Sequence, residues 1–371
     1  MVVIDRALAL DVVRDAIAAC DPATRVADAL RADPLPIGPI VGVAIGKAAV
    51  AMARGAGAVA RGIAVAPDGV ADPSRPLPAG WTAMVGDHPF VGARSLAAGA
   101  AVMELVRGAR TGDVVLVLVS GGASALCEVP RAGVTLAVQR ARVVEVMASG
   151  APIAELNRAR GDMSELKAGG LARACAVPIV TLAISDVAGD DLAVIGSGPT
   201  VPVRAGDRAR VIAPMKAFAL AAHAALARRG VIAAIEDAPR TGDVDAVANA
   251  LALASRPLIA WGEPTVVVPA VHGEGGRAQQ LALALARRFA GTRASALVVG
   301  SDGIDGPPPA HRSAPAGAFV DGASWAGLAA AGIDGDAALA HRDAGSALAA
   351  IGALIVTGPT GINHADLVVL A

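Results

Sequence analysis

Short apolar runs punctuate the chain at Ile40–Ile45, Val114–Val119, Val177–Ile184, Val231–Glu236, Thr265–Ala270, Ala296–Val299, Ala353–Val356 and Leu367–Leu370. Runs of this length and composition predict strands. Between them lie alanine-rich stretches with helical character, among them Asp11–Cys20, Lys47–Val59, Ser95–Arg107, Thr135–Ser149, Ala217–Arg229, Val244–Ala254 and Ala278–Phe289. Strands alternating with helices predict an α/β protein with mostly parallel strands. The polar, turn-rich residues 237–243 (DAPRTGD) predict a domain boundary, dividing the chain into 1–245 and 246–371. Residues 303–316 (GIDGPPPAHRSAPA), with four prolines, form the most loop-like segment: a lid or active-site loop, or a surface connection.

Composition narrows the classes. With 371 residues the chain exceeds one ordinary core and suggests two domains or three. Hydrophobic residues at 54% and charged residues at 18% exclude disorder. The longest stretch without a charge, 344–365, is broken by TGPTGINH, so no membrane span is expected, and the start MVVIDRALALDVVRD lacks the basic opening of a secretion signal. Cys20, Cys127 and Cys175 are widely spaced and fit a reducing compartment, the cytoplasm. A net charge of −1, no tyrosine and no basic stripe leave nucleic acid without a platform. The 29 arginines against three lysines (Lys47, Lys167, Lys216) suggest that a lysine marks a place where a compact ammonium serves better than a planar fork.

Ligands of open α/β sheets sit outside the C-terminal ends of strands. Five predicted strands end in glycine with a small hydroxyl, an acid or a lysine: Gly46-Lys47, Ser120-Gly121-Gly122-Ala123-Ser124, Ser185-Asp186, Gly300-Ser301-Asp302 and Thr357-Gly358-Pro359-Thr360. The Ser120–Ser124 turn fits an anion site or a tight strand-to-helix turn. Lys47 adds a point charge beside it, although the Walker A spacing is absent. Asp186 and Asp190 are candidate Mg²⁺ ligands, and Asp186 is also a candidate general base. Asp191 more readily caps the next turn. Of Asp302 and Asp305, one meets metal or substrate while the other shapes the turn. Residues 157–172 bring Arg160, Ser164, Lys167 and a glycine pair together. Arg277, after three glycines and before a helix, is a candidate phosphate clamp, and Glu263 is a further carboxylate. No HExxH, GxSxG or strand-borne GxGxxG occurs, and His88, between Asp87 and Pro89, stands apart from the scattered histidines.

Taken in order, IGKAA (45–49), GDHPF (86–90), VSGGASAL (119–126), NRARGDMSELKAGGLA (157–172), ISDVAGDDLAVIGSGPTVP (184–202), GEPTVVV (262–268), GEGGRAQQLALA (273–284), GSDGIDGP (300–307) and TGPTGINHADL (357–367) resemble the type II glycerate kinases, the family with a C-terminal MOFRL domain. The resemblance implies two α/β domains, a larger Rossmann-like N-terminal one and a smaller C-terminal MOFRL one, with the active site in the cleft between them. It implies ATP- and Mg²⁺-dependent phosphorylation of D-glycerate, usually to 2-phosphoglycerate, and admits a homodimer. On these motifs Lys47, Arg277 and Asp186 are the catalytic residues, and Asp186 with Asp190 holds the metal. Ser120, Gly121, Gly122, Ser124, Lys167, Gly198 and Thr360 receive the nucleotide. Several ligand-facing motifs depart from the family pattern, at Gly161, Asp162, Gln280 and 307–314. Another small hydroxy acid as substrate and loss of turnover are therefore the alternatives; hydroxypyruvate reduction is a separate one, against which the missing strand–GxGxxG–helix fingerprint argues.

Overall fold

The computed structural model describes every residue except 1–3, 70–74, 150–152, 308 and 310, so parts of the 303–316 loop lie outside the described residues. The chain folds as two compact units, one comprising Asp21–Met215 and the other Met1–Cys20 together with Lys216–Ala371. The chain thus passes between units after Cys20 and Met215, whereas the sequence reading divided it after residue 245.

In the Asp21–Met215 unit, six strands form one wholly parallel sheet: β1 (Ile40–Ile45), β2 (Arg61–Ala66), β3 (Trp81–Val85), β4 (Val114–Val119), β5 (Ile179–Ile184) and β6 (Arg208–Ala213). Their spatial order is β3-β2-β1-β4-β5-β6, the doubly wound Rossmann arrangement, with its reversal between β1 and β4. Every residue of β4 and β5 is buried, because helices cover both faces of a central parallel strand. That removes the alternation a half-exposed strand would show and explains why these two runs read so plainly. Gly42 on β1 and Gly62 on β2 lie against the Trp81 ring, where a Cβ would come within 2.5 and 2.8 Å of ring carbons.

The other unit carries the second sheet: β7 (Ala234–Ile235), β8 (Arg240–Asp243), β9 (Leu258–Thr265), β10 (Ser295–Val299), β11 (Gly317–Asp321), β12 (Leu354–Ile355) and β13 (Asp366–Leu370). Only β7 and β8 run parallel to their neighbour β9; the remaining pairings are antiparallel, so the expectation of mostly parallel strands holds for one sheet alone. The strand placed by sequence at 265–270 lies instead at Leu258–Thr265, pairing β13 from Gly262–Asp366 to Leu258–Leu370. Val267 and Val268 beyond it are exposed. The helix Arg277–Phe289 is buried along most of its length, its alternating leucines and alanines packing on β10 and β11. The first helix, Arg6–Ala19, belongs here too: Arg6 donates to the carbonyls of Gly352 and Leu354 at 2.9 and 2.7 Å.

Candidate active site

A cavity of about 420 Å³ opens in the Asp21–Met215 unit at the C-terminal edge of its parallel sheet. The segments leaving β3, β4 and β5 supply His88, Ser124, Glu128 and Asp186, while the helices Leu136–Ala148 and Ile153–Asp162 add an apolar wall with Asn157 and Arg160. This is where the sheet order requires a ligand site, beyond the strand ends next to the β1/β4 reversal.

The β1 and β4 loops are stapled together beside it. Gly46 has φ +134°, and a Cβ there would sit 2.1 Å from Ser120 Oγ, so only glycine lets the two turns meet. Ser120 is buried, and its Oγ accepts from Ala48 N at 3.1 Å. Lys47 N donates to Gly121 O at 2.8 Å. Gly122 lines the cavity in the left-handed region, beside the Lys47 stem and the His88 ring. Burial lowers the His88 pKa and the Lys47 charge lowers it further, both favouring the neutral imidazole.

Lys167 is 2% exposed and pairs with Glu128, which is 1% exposed. Glu128 Oε1 also accepts from Ser164 Oγ at 2.5 Å and from Val129 N at 2.9 Å. Burial lowers the Lys167 pKa, and Glu128 opposes this. Ser124 Oγ meets Ser197 Oγ at 2.7 Å, and Ser197 Oγ donates to Asn157 Oδ1 at 3.0 Å. Gly198, in the left-handed region, accepts from Gly169 N at 2.7 Å, tying the SGPT turn to the Lys167 loop. Asp186 lines the cavity directly after β5. Asp190, with φ +53°, uses Oδ1 to accept from Met215 N at 2.7 Å, and Asp191 accepts from Ala193 N at 2.8 Å. Among the described residues no group of three or more His, Cys, Asp or Glu is placed to hold a metal ion.

Arg277 and Thr360 lie in the other unit. Arg277 opens its helix, where the dipole disfavours a cation. Carboxylates compensate: Asp366 accepts from Arg277 Nε at 2.6 Å and from Nη2 at 3.1 Å, and Glu263 accepts from Nη2 at 2.6 Å. Burial works against the guanidinium charge, yet these two partners outweigh it and raise the Arg277 pKa. Burial lifts the Asp366 carboxyl to about 7, against the bonds from Arg277. Asp305 accepts from Ala278 N at 3.0 Å and Gln279 N at 2.8 Å, so it caps that helix and is the acid that shapes the turn. Thr360 Oγ1 donates to Ser301 O at 2.5 Å.

The structure therefore gathers Gly122, Ser124, Lys167 and Asp186 around one cavity, with Lys47, Ser120 and Gly121 in the adjoining loops. Glu128 was missed in the sequence because a lone glutamate after SGGASALC carries no spacing signal. The one clue was Lys167, whose burial demands a carboxylate partner.

A doubly wound sheet with a cavity at its strand ends, carrying Asp186 and Glu128 on its wall, is the general ligand-binding arrangement of open α/β folds; the relatives narrow it to kinases that phosphorylate a hydroxyl group. Residues 8–229 match the DUF4147 family, described as a domain of unknown function, and residues 256–366 match the MOFRL family. The chain belongs to the type II glycerate kinase family. It is 30% identical to the glycerate 2-kinase of Pyrococcus horikoshii, with 76% of each chain covered, and 34% identical to an Agrobacterium vitis protein carrying the name hydroxypyruvate reductase, with 95% of this chain and 91% of that one covered. The crystal structure of Thermotoga maritima glycerate kinase superposes with a TM-score of 0.88 at 29% identity over 98% of both chains.

Proposed function

We propose that this chain transfers the γ-phosphoryl group of ATP to a hydroxyl of D-glycerate, giving 2-phosphoglycerate. The observation that carries the reading is the cavity at the ends of β3, β4 and β5, with Asp186 on its wall and Lys47 in the adjoining loop. Phosphoryl transfer asks mainly for positioning and neutralisation of charge. Asp186 receives the proton of the attacked hydroxyl. Lys47 supplies a compact positive charge to the transferring group, and the Ser120–Ser124 turn with Gly198 receives the phosphates. Mg²⁺ takes one or two carboxylates together with phosphate oxygens and water. Asp186, which lines the cavity, fits that modest demand without a dedicated cage, and Asp190 stands in the same loop; a bound ion would neutralise phosphate charge there. Arg277 and Thr360 are assigned to turnover by the resemblance of their segments.

In a coupled assay with D-glycerate and Mg-ATP, Lys47→Ala and Asp186→Asn each lower kcat/KM by about 10²–10⁴. Full activity in either variant would refute the roles given. The reductase name borne by two Agrobacterium vitis relatives supports a second reading, since the sheet order is also that of dinucleotide-binding folds. The turn after β1 reads Gly46-Lys47-Ala48-Ala49, without the glycine fingerprint, so NADH is expected to persist in the presence of hydroxypyruvate.

A further inference from the structure

Asn157 and Arg160 lie three residues apart on the helix Ile153–Asp162, so their side chains share a face, and both line the cavity. Arg160 is half-buried, and among the described residues its guanidinium makes no hydrogen bond or ion pair with a carboxylate. Burial lowers its pKa, and the Glu128 carboxylate, already held by Lys167 and Ser164, opposes this only in part. A guanidinium withdrawn from water without an anion is costly, and the cost is relieved when an anion arrives with a ligand. The second signal is independent. Asn157 Oδ1 is occupied by Ser197 Oγ, while its Nδ2 is buried with no partner. Since Ser197 spends its proton on Asn157, Ser124 is the donor of the Ser124–Ser197 bond. The amide N–H₂ of Asn157 is thereby fixed as a donor with nothing to donate to. Lys167, in contrast, is committed to Glu128 and holds the loop in place.

We propose that Arg160 and Asn157 are the carboxylate-recognition pair of the site. The guanidinium fork and the adjacent amide donate to the planar carboxylate of a small 2-hydroxy acid and hold its hydroxyl toward Asp186 at the end of β5. A planar carboxylate matches the fork of Arg160, and the phosphates are left to the Ser120–Ser124 turn of the cavity lining. The assignment rests on the kinase reading for the fate of the hydroxyl, but not for the binding of the acid.

Steady-state kinetics and thermal-shift titration test it. Arg160→Ala raises KM for D-glycerate about 10- to 100-fold with KM for ATP unchanged, and Arg160→Lys recovers only part of the loss because it lacks the fork. Asn157→Ala gives a smaller rise of the same kind, about tenfold. Arg158→Ala, exposed on the same helix, changes neither constant, and circular dichroism checks that each variant is folded. D-glycerate or other 2-hydroxy acids raise the wild-type Tm, glycerol does not, and the rise disappears in Arg160→Ala. A raised KM for ATP with an unchanged KM for D-glycerate gives the pair to a phosphate and overturns the assignment. A normal thermal response of Arg160→Ala to D-glycerate overturns it too, as does a wild type that responds to no hydroxy acid. A wild type that turns over no D-glycerate yet responds to hydroxy acids through Arg160 removes the kinase reading and leaves this assignment standing.

Discussion

Replacing Lys167 by methionine keeps the length of the side chain and deletes its charge. The loss follows from the surroundings. Glu128 and Lys167 are both almost fully buried, so the substitution strands one carboxylate oxygen in the interior. Ser164 Oγ and Val129 N continue to serve the other oxygen. Removing one member of a buried pair costs about 3–5 kcal/mol, and replacing both members by apolar groups of similar volume costs far less. For a unit of this size that is a fall in Tm of about 10 °C. Because the chain holds two compact units, one unfolding transition cannot be assumed, and a local reporter is needed. Trp81 serves: it lies on β3 in the same unit, with Nε1 donating to Gly57 O at 2.9 Å, whereas Trp261 and Trp325 belong to the other unit and are replaced by phenylalanine. In urea followed by Trp81 fluorescence, Lys167→Met loses about 3–5 kcal/mol and the double variant Lys167→Met with Glu128→Leu regains most of it. A single variant that loses less than about 1 kcal/mol, or a double variant no better than the single, would refute a buried, structurally committed pair.

Asp305→Ala removes the cap from the helix Arg277–Phe289 and leaves the buried Gln279 amide with one bond fewer; the expected loss is about 2–4 kcal/mol, read from the fluorescence of Trp261 and Trp325, and an unchanged midpoint would contradict the capping role. Asp366 gives a signed pH effect. Burial raises its folded pKa to about 7, so its favourable contribution is present below the unfolded value of 3.8 and is lost as pH rises through about 7. Asp366→Asn therefore flattens the decline in stability between about pH 4 and 7, by at most about 1.4 kcal/mol per pH unit, and parallel wild-type and variant curves would contradict this.

The legible parts of the fold were those with a physical signature confined to adjacent residues. β4 and β5 are unbroken apolar runs because both faces of the sheet are covered. β2 and β6 begin with arginine and β3 carries exposed positions, so none of them stood out as an apolar run. The run TVVVPA has strong β-branched character, but among the described residues only its first, Thr265, pairs with a neighbouring strand, and the strand to which it belongs begins seven residues earlier at Leu258. Strand propensity states that a segment suits a pleated surface; a neighbour decides whether one forms. The membership of Arg6–Ala19 in the unit of Lys216–Ala371 depends on contacts more than two hundred residues apart, with Arg228 and Arg229 at Asp15 and with Gly352 and Leu354 at Arg6, which no local pattern reports. At the candidate site, glycines and acids at strand ends were visible because turns of this kind need those residue types. The Glu128 partner of Lys167 and the unmade bonds of Asn157 and Arg160 were not, since burial and satisfaction are properties of the packed chain.

The most direct test of the account is a ³¹P NMR time course of the purified chain with Mg-ATP and D-glycerate, run beside an NADH and hydroxypyruvate mixture. The account predicts loss of the γ-phosphorus resonance of ATP and growth of a phosphomonoester on the C2 oxygen, with NADH untouched. ATP that stays intact while NADH is consumed would contradict it.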